Sequence, residues 1–216
     1  MSSRNAYINA ITDIQNSILR MGSLVEQAVY DSVEALMNND TMGASQVIMG
    51  DDVIDQIYSE VEDRCIKMLA TQQPMAKDLR IMFADIKILV NLERMADYAV
   101  DIARVAMELS GQPLEVKAFE FIPKMSAVVQ QMIKSGLDSY ALGDIEKAKE
   151  MCLLDDQVDK LFSTSYKELI TSMKCDPNAV VRSLFVGRYL ERIADHATNI
   201  GEEVVFIATG EREELN

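Results

Sequence analysis

Residues 92–102 read LERMADYAVDI, and residues 190–200 repeat the phrase as LERIADHATNI. Both copies carry oxygen-bearing side chains every four residues, a step of about 40° of rotation and about 6 Å of rise on a helix, so each set lies on one side of its helix. Acids at this spacing repel one another by roughly 0.2–0.5 kcal/mol per pair, and the repetition therefore predicts a bound cation. These two carboxylate ladders consist of Glu93, Asp97 and Asp101, and of Glu191, Asp195 and Asn199.

The repeat extends over the whole chain of 216 residues. Met21 matches Met125 at an offset of 104, and the offset falls to 98 where the ladders align. A shorter connection in the second half explains the change. The break Gly111-Gln112-Pro113 separates the halves, and the sequence predicts two domains, residues 1–112 and 113–216.

Long amphipathic patterns without strand-like alternation predict an all-α fold. Each half is expected to form a three-helix bundle, which gives a tandem repeat of two bundles with six long helices. The apolar seam from Ile88 to Leu109 steps alternately by four and three residues, as in helices that pack nearly parallel. The expected helices are about Arg4–Asn38, Asp40–Thr71 and Pro74–Ser110, then Phe119–Leu142, Asp144–Lys174 and Pro177–Thr209.

A second pair of acids stands on the middle helix of each half, again four residues apart. These pairs are Asp51/Asp55 and Asp155/Asp159. A bundle can bring each pair opposite a ladder, and the resulting carboxylate and amide oxygens suit hard or borderline ions. With almost no imidazole or thiolate nearby, a structural zinc site of the usual kind is disfavoured.

The alternative interpretation is that these acids are exposed and paired with basic residues, as most charged side chains are. The candidate partners are Arg94, Lys87, Arg192 and Arg188. The single histidine, His196, replaces Tyr98 of the other copy and is expected to be a packing residue rather than a ligand. The acidic end, Glu211–Glu214, is expected to be solvated and frayed.

Composition narrows the classes of function. The formal net charge of −14 disfavours binding to nucleic acid and anionic lipid. Three cysteines without a CxxC motif indicate reduced thiols, and neither a signal segment nor an apolar run of membrane-spanning length is present. We therefore expect a cytoplasmic protein without a membrane span.

The two phrases, together with DDVID at 51–55, AKDLR at 76–80 and IATGE at 207–211, resemble the PhoU family of phosphate-uptake regulators. The resemblance implies a duplicated bundle and metal clusters on the acidic pairs, with iron as the first candidate and zinc, manganese, magnesium or nickel as alternatives. It also implies negative control of phosphate uptake and of the phosphate-starvation response. The implied partners are the ATPase of a phosphate ABC transporter and a phosphate-sensing histidine kinase, with a homodimer as the assembly.

The chain departs from the family pattern in places. Ala96 and Ala194 stand where the family usually has glycine, and Asn199 replaces an acid and lowers the charge of the second site. Two rival functions remain, a metal-free helical adaptor and a di-metal carboxylate oxidase or ferroxidase. A di-metal carboxylate enzyme of this kind needs the motif Glu-x-x-His on two helices. This chain has Ile193, not glutamate, three residues before its single histidine, His196. Without a catalytic triad, P-loop or dinucleotide motif, the sequence predicts a non-enzymatic regulator.

Overall fold

The computed structural model describes residues 3–72, 74–111, 116–172 and 176–215, and these residues contain helices and connecting turns without strands. The prediction of an all-α tandem bundle is confirmed. The first half folds as three long helices, and the second half repeats the plan with one short additional helix and one break. The helices are α1 (Ser3–Asn38), α2 (Thr41–Gln72), α3 (Ala76–Glu108), α4 (Val116–Phe119), α5 (Ile122–Leu142), α6 (Ile145–Cys152), α7 (Asp155–Ser172) and α8 (Pro177–Thr209). The expected domain boundary at residues 112–113 lies outside the described residues and stays a prediction.

Side-chain caps fix where several helices begin. Oδ1 of Asp40 accepts hydrogen bonds from the backbone N–H groups of Met42 and Gly43, both at 3.0 Å, at the start of α2. Asp144 caps α6 and Asp176 caps α8 in the same way, each through the N–H three residues ahead. The expected start of α3 at Pro74 is wrong by two residues, because Met75 is extended and the helix begins after it.

The expected continuous helix Asp144–Lys174 is wrong, because a turn at Leu153–Leu154 divides it into α6 and α7. The N–H of Leu154 bonds back to Met151, and its carbonyl then accepts the N–H groups that begin α7. Asp155 and Asp156 occupy the first turn of α7, where the helix dipole favours negative charge. The restart therefore places an acid of the second candidate site at a helix N-terminus.

α3 and α8 run antiparallel and join the two halves into one core. The Tyr98 and Tyr189 rings stack with centroids 5.9 Å apart, and Nδ1 of His196 lies 2.8 Å from Oδ1 of Asn91. Asn91 and Tyr189 are equivalent in the repeat, as are Tyr98 and His196, so these contacts are two copies of one junction. The halves are thus related by a pseudo-two-fold axis between α3 and α8.

A second link between the halves is a buried polar pair. Asp85 on α3 is completely buried, and its Oδ1 accepts a 2.6 Å hydrogen bond from the hydroxyl of Tyr140 on α5. Oδ2 of Asp85 is buried without a hydrogen-bond partner among the described residues. Desolvation raises the pKa of this carboxyl to about 7, although the bond from Tyr140 opposes the shift. Asp85 therefore holds a proton in the core under mildly acidic conditions.

The C-terminal segment packs back onto the second bundle, and the expected frayed end is wrong. Nζ of Lys149 lies 2.7 Å from Oε2 of Glu213, and the N–H of Leu215 donates to Glu202 at 3.0 Å. The guanidinium of Arg212 lies 4.1 Å from the centroid of the Phe206 ring. These contacts hold the C-terminal segment against the second bundle, although its acidic composition is typical of a solvated end.

The cysteines agree with the expected reduced state. Cys65 and Cys152 are buried free thiols. Burial raises the pKa of Cys65 to about 11 and that of Cys152 to about 12. Both thiols therefore stay protonated near neutral pH. Cys175 lies outside the described residues.

Asp85→Asn is expected to reduce the pH dependence of the unfolding free energy. The native carboxyl keeps its proton up to about pH 7, whereas the unfolded chain releases it near the ordinary pKa of about 3.9. Between these values the native state binds more protons than the unfolded state, so stability falls as pH rises, by up to about 1.4 kcal/mol per pH unit. Urea denaturation at several pH values within this window measures the slope for both proteins.

Asp63→Asn provides the matched control, since Asp63 is an exposed acid on α2. This control is expected to follow the wild-type slope. Parallel slopes for wild type and Asp85→Asn would contradict a protonated buried carboxyl.

Candidate metal centre

Acids from two helices approach one another in the first bundle. Asp51 and Asp55 lie on α2, and Glu93 and Asp97 lie on α3. Burial raises the pKa of Asp51 to about 6, and the charges of Asp55 and Asp97 add to the shift. Burial and the charges of Asp97, Asp55 and Asp51 likewise raise the pKa of Glu93, against the opposing effect of Arg94. The structure therefore brings four acids predicted from the sequence into one electrostatic cluster, which we call the first acidic cluster.

Arginines neutralise part of this cluster. Arg94 reaches Glu93 through Nε at 3.3 Å and Asp97 through Nη1 at 3.0 Å. Asp101, the last member of the ladder, accepts a 2.9 Å bond from Arg104. The side chains in these contacts are partly exposed, and ion pairs of this kind contribute little to stability.

Asp101 also faces the other half. Its charge helps to raise the pKa of Tyr189 on α8, after the larger effect of burial. The ladder thus runs from the α2–α3 contact at Glu93 towards the α3–α8 junction at Asp101.

The second bundle arranges its acids differently. Arg188 pairs with Glu191, and Arg192 lies 2.9 Å from Asp195. Asp155 is buried in the first turn of α7, and Asp159 is exposed. The charge of Asp155, together with that of Glu202, adds to the burial that raises the pKa of Cys152. Asp155 therefore faces the α6–α8 contact.

Asn199 takes part in the junction between the halves. Its Nδ2 donates a 3.1 Å hydrogen bond to Oδ1 of Asn91 on α3, the atom that also contacts His196. Burial lowers the pKa of His196 to about 4, helped by the charges of Arg192 and Arg94, so the imidazole is neutral at pH 7. His196 fits the expected packing role. Sequence reasoning missed Asn91, because its equivalent Tyr189 is chemically different and no repeat signal marks it.

No group of three or more His, Cys, Asp or Glu side chains is poised to hold a metal ion within residues 3–72, 74–111, 116–172 and 176–215. The ion pairs expected under the alternative interpretation are present for Arg94, Arg188 and Arg192. Lys87 instead lies 2.9 Å from the buried carboxylate of Glu203, which Arg212 also contacts at 3.0 Å. The metal ligands therefore stay predictions, best supported at the first acidic cluster.

None of the helices in the described part of the chain is both long and apolar enough to cross a bilayer. The sequence profile of the PhoU domain matches the chain twice, over residues 18–106 and 122–204. The two matches correspond to the two bundles.

Known PhoU proteins are similar to this chain over most of their length. The chain is 39% identical to the phosphate-specific transport system accessory protein PhoU homolog of Clostridium acetobutylicum, over 99% of both chains. It is 36% identical to the corresponding homolog of Pseudomonas aeruginosa, over 93% of this chain and 84% of the relative. The crystal structure of PhoU from Pseudomonas aeruginosa superposes with a TM-score of 0.90 at 35% identity, covering 96% of this chain and 99% of that one. The phosphate transport system regulatory protein PhoU from Streptococcus pneumoniae gives 0.88 at 27% identity, with the same coverage. The chain belongs to the PhoU family.

Proposed function

We propose that this chain is a negative regulator of phosphate uptake and of phosphate-starvation signalling, and that its acidic clusters hold metal ions. Membership of a family of non-enzymatic accessory and regulatory proteins of phosphate transport supports the regulatory role. The observation that carries the metal proposal is the first acidic cluster, where burial and like charge raise the pKa of Asp51 and Glu93. Carboxylates gathered in this way are stabilised by a cation.

The proposed ligands in the first bundle are Asp51, Asp55, Glu93, Asp97 and Asp101, which require Arg94 and Arg104 to turn away. A bound di- or trivalent ion would supply charge neutralisation and a cross-link between α2 and α3. Oxygen ligands without imidazole or thiolate favour iron, manganese or magnesium over structural zinc, with zinc and nickel as further candidates. The equivalent ligands in the second bundle are Asp155, Asp159, Glu191, Asp195 and Asn199.

The proposed partners are the ATPase of a phosphate ABC transporter and a phosphate-sensing histidine kinase, both met in the cytoplasm. Since none of the helices in the described part of the chain can cross a bilayer, we expect the regulator to reach these proteins from the aqueous side. The family likeness supports this assignment, and we propose a homodimer as the acting form.

A metal-free adaptor is the second candidate function. The observation that favours it is the pairing of ladder acids with arginines in both bundles, at Asp97 and Asp195 among others. Under this alternative the acids serve only as a solvated, charge-balanced surface. Measurement of bound metal distinguishes a metal-binding regulator from a metal-free adaptor.

The double variant Asp97→Ala/Asp195→Ala is expected to lose most of the bound metal while keeping wild-type helical content. One ladder oxygen donor is removed from each bundle, and both side chains are partly exposed, so the core is unchanged. Elemental analysis of protein purified without chelator measures the metal, and circular dichroism measures the helices.

Asp63→Ala/Asp156→Ala is the control, since both acids are exposed, lie on α2 and α7, and stand outside the ladders. It is expected to retain the wild-type metal content. The metal proposal fails if the ladder variant and the control bind equal amounts, or if neither they nor the wild type bind any.

Deletion of the gene is expected to raise phosphatase expression in cells supplied with ample phosphate. The physical reason is the loss of the protein that would hold the transporter and kinase in their repressed state. A phosphatase reporter in deletion and complemented strains measures this effect. An unchanged reporter would refute the negative regulatory role, whatever the metal content of the protein.

A further inference from the structure

The second bundle contains an open groove with a volume of about 540 Å³ between α7 and the segment from Lys117 to Lys124, which joins α4 to the first turn of α5. Its apolar lining comes from Phe121, Leu161 and Leu169. Leu161 and Leu169 remain partly exposed although they lie against the core. This α5–α7 groove is therefore an apolar strip that the chain itself covers only in part.

In the first bundle the equivalent surface, between α1 and α2, is covered. At an offset of 104, Cys65 stands in place of Leu169 and is completely buried, whereas Leu169 is partly exposed; Val61 and its equivalent Ser165 are buried in both bundles. Arg64 also donates a 3.2 Å hydrogen bond to Ser17, which ties α2 to α1. The groove is thus a difference between two otherwise equivalent bundles.

The second bundle lacks the side chains that form the Arg64–Ser17 hydrogen bond of the first bundle. Glu168 stands where Arg64 stands in the first bundle, and Phe121 stands in place of Ser17, so the bond between them is lost. The Phe121 and Phe162 rings pack against Gly187 of α8, where a Cβ would lie within 3 Å of both rings. Phe121 is therefore drawn towards α8, and the strip along α7 stays open.

The lining of this groove carries a net positive charge. Three lysines, Lys117, Lys124 and Lys160, are part of the lining, and none of them forms an ion pair among the described residues. Glu120 and Glu168 are the acids of the lining, which leaves an excess of one positive charge in a chain whose net charge is −14. Unpaired lysines beside apolar surface fit a ligand that carries both acidic and apolar groups.

A second groove in the first bundle shows the opposite chemistry. It lies between α1 and α2, and its lining includes Asp31, Glu34 and Asp40 without any lysine or arginine. An acidic ligand would be repelled there. The positive excess at the α5–α7 groove is therefore local.

The dimensions of the groove indicate a helical ligand. Its lining on α7 runs from Gln157 to Leu169, which corresponds to about 18 Å or three turns of helix. Leu161 and Leu169 stand eight residues apart on one face of α7 and form a partly exposed strip that the apolar face of another helix can cover. Acidic residues flanking that apolar face would meet the three lysines.

We propose that the α5–α7 groove binds an acidic amphipathic helix of a partner protein. The inference depends on neither the metal proposal nor the identity of the transporter or kinase. It assigns the second bundle a docking surface that the first bundle lacks.

Two synthetic helical peptides of about 18 residues, long enough to exceed the groove, test the proposal with the full-length protein. Both carry leucine along one face, and the flanking positions are glutamate in one peptide and glutamine in the other. Fluorescence anisotropy at low ionic strength is expected to give roughly tenfold tighter binding for the glutamate peptide, with the advantage shrinking as salt is added. Amide chemical shifts should change at residues 117–124 and along α7.

Lys124→Glu/Lys160→Glu is expected to weaken binding of the glutamate peptide by about tenfold or more. The control Lys67→Glu/Lys134→Glu makes the same change of charge at exposed lysines outside the groove and should bind as wild type does. Thr164→Trp tests shape instead of charge, since a large side chain on the exposed lining should block the peptide.

Three results would overturn the proposal. One is equal or tighter binding of the glutamine peptide, and another is equal loss in the groove variant and its control. The third is a change in the sedimentation coefficient of the protein alone in the groove variants, which would make a second copy of this chain the occupant.

Discussion

The antiparallel packing of α3 on α8 is the constraint on which the rest of the structure depends. These are the helices that carry the two ladders, and their contact places the repeated phrases on opposite sides of a pseudo-two-fold axis. At this axis the same junction is built twice with different chemistry, from two tyrosine rings at one copy and from Asn91 with His196 at the other. A duplicated sequence thus acquires one shared core and two separate candidate sites.

That junction also makes the two sites unequal. In the first bundle α2 is continuous and brings Asp51 and Asp55 against the ladder of α3. In the second bundle α7 restarts at Asp155 after a turn, and Asn199 is committed to a hydrogen bond with Asn91. The two halves therefore share the acidic residues more closely than the arrangement of those residues, and of the two proposed ion sites we expect the first to bind more tightly. The open α5–α7 groove is a further difference between the two bundles.

Local chemistry made much of this fold predictable. Caps such as Asp144 and Asp176 act within three residues, and the repeated seam of α3 and α8 follows directly from helical periodicity. The break after Cys152 was not predictable, because the first bundle accommodates equivalent acids inside a continuous helix. The ordered C-terminal segment escaped prediction for a different reason. It depends on distant partners such as Lys149, and no local pattern reports them.

Anomalous diffraction from crystals grown without chelator tests most directly whether the converging acids form an ion site. The account predicts a peak between α2 and α3, with carboxylate oxygens of Asp51, Asp55, Glu93 and Asp97 at about 2.0–2.6 Å and Arg94 displaced. A map without such a peak, in protein supplied with iron or manganese and with Arg94 still bound to Asp97, would contradict it.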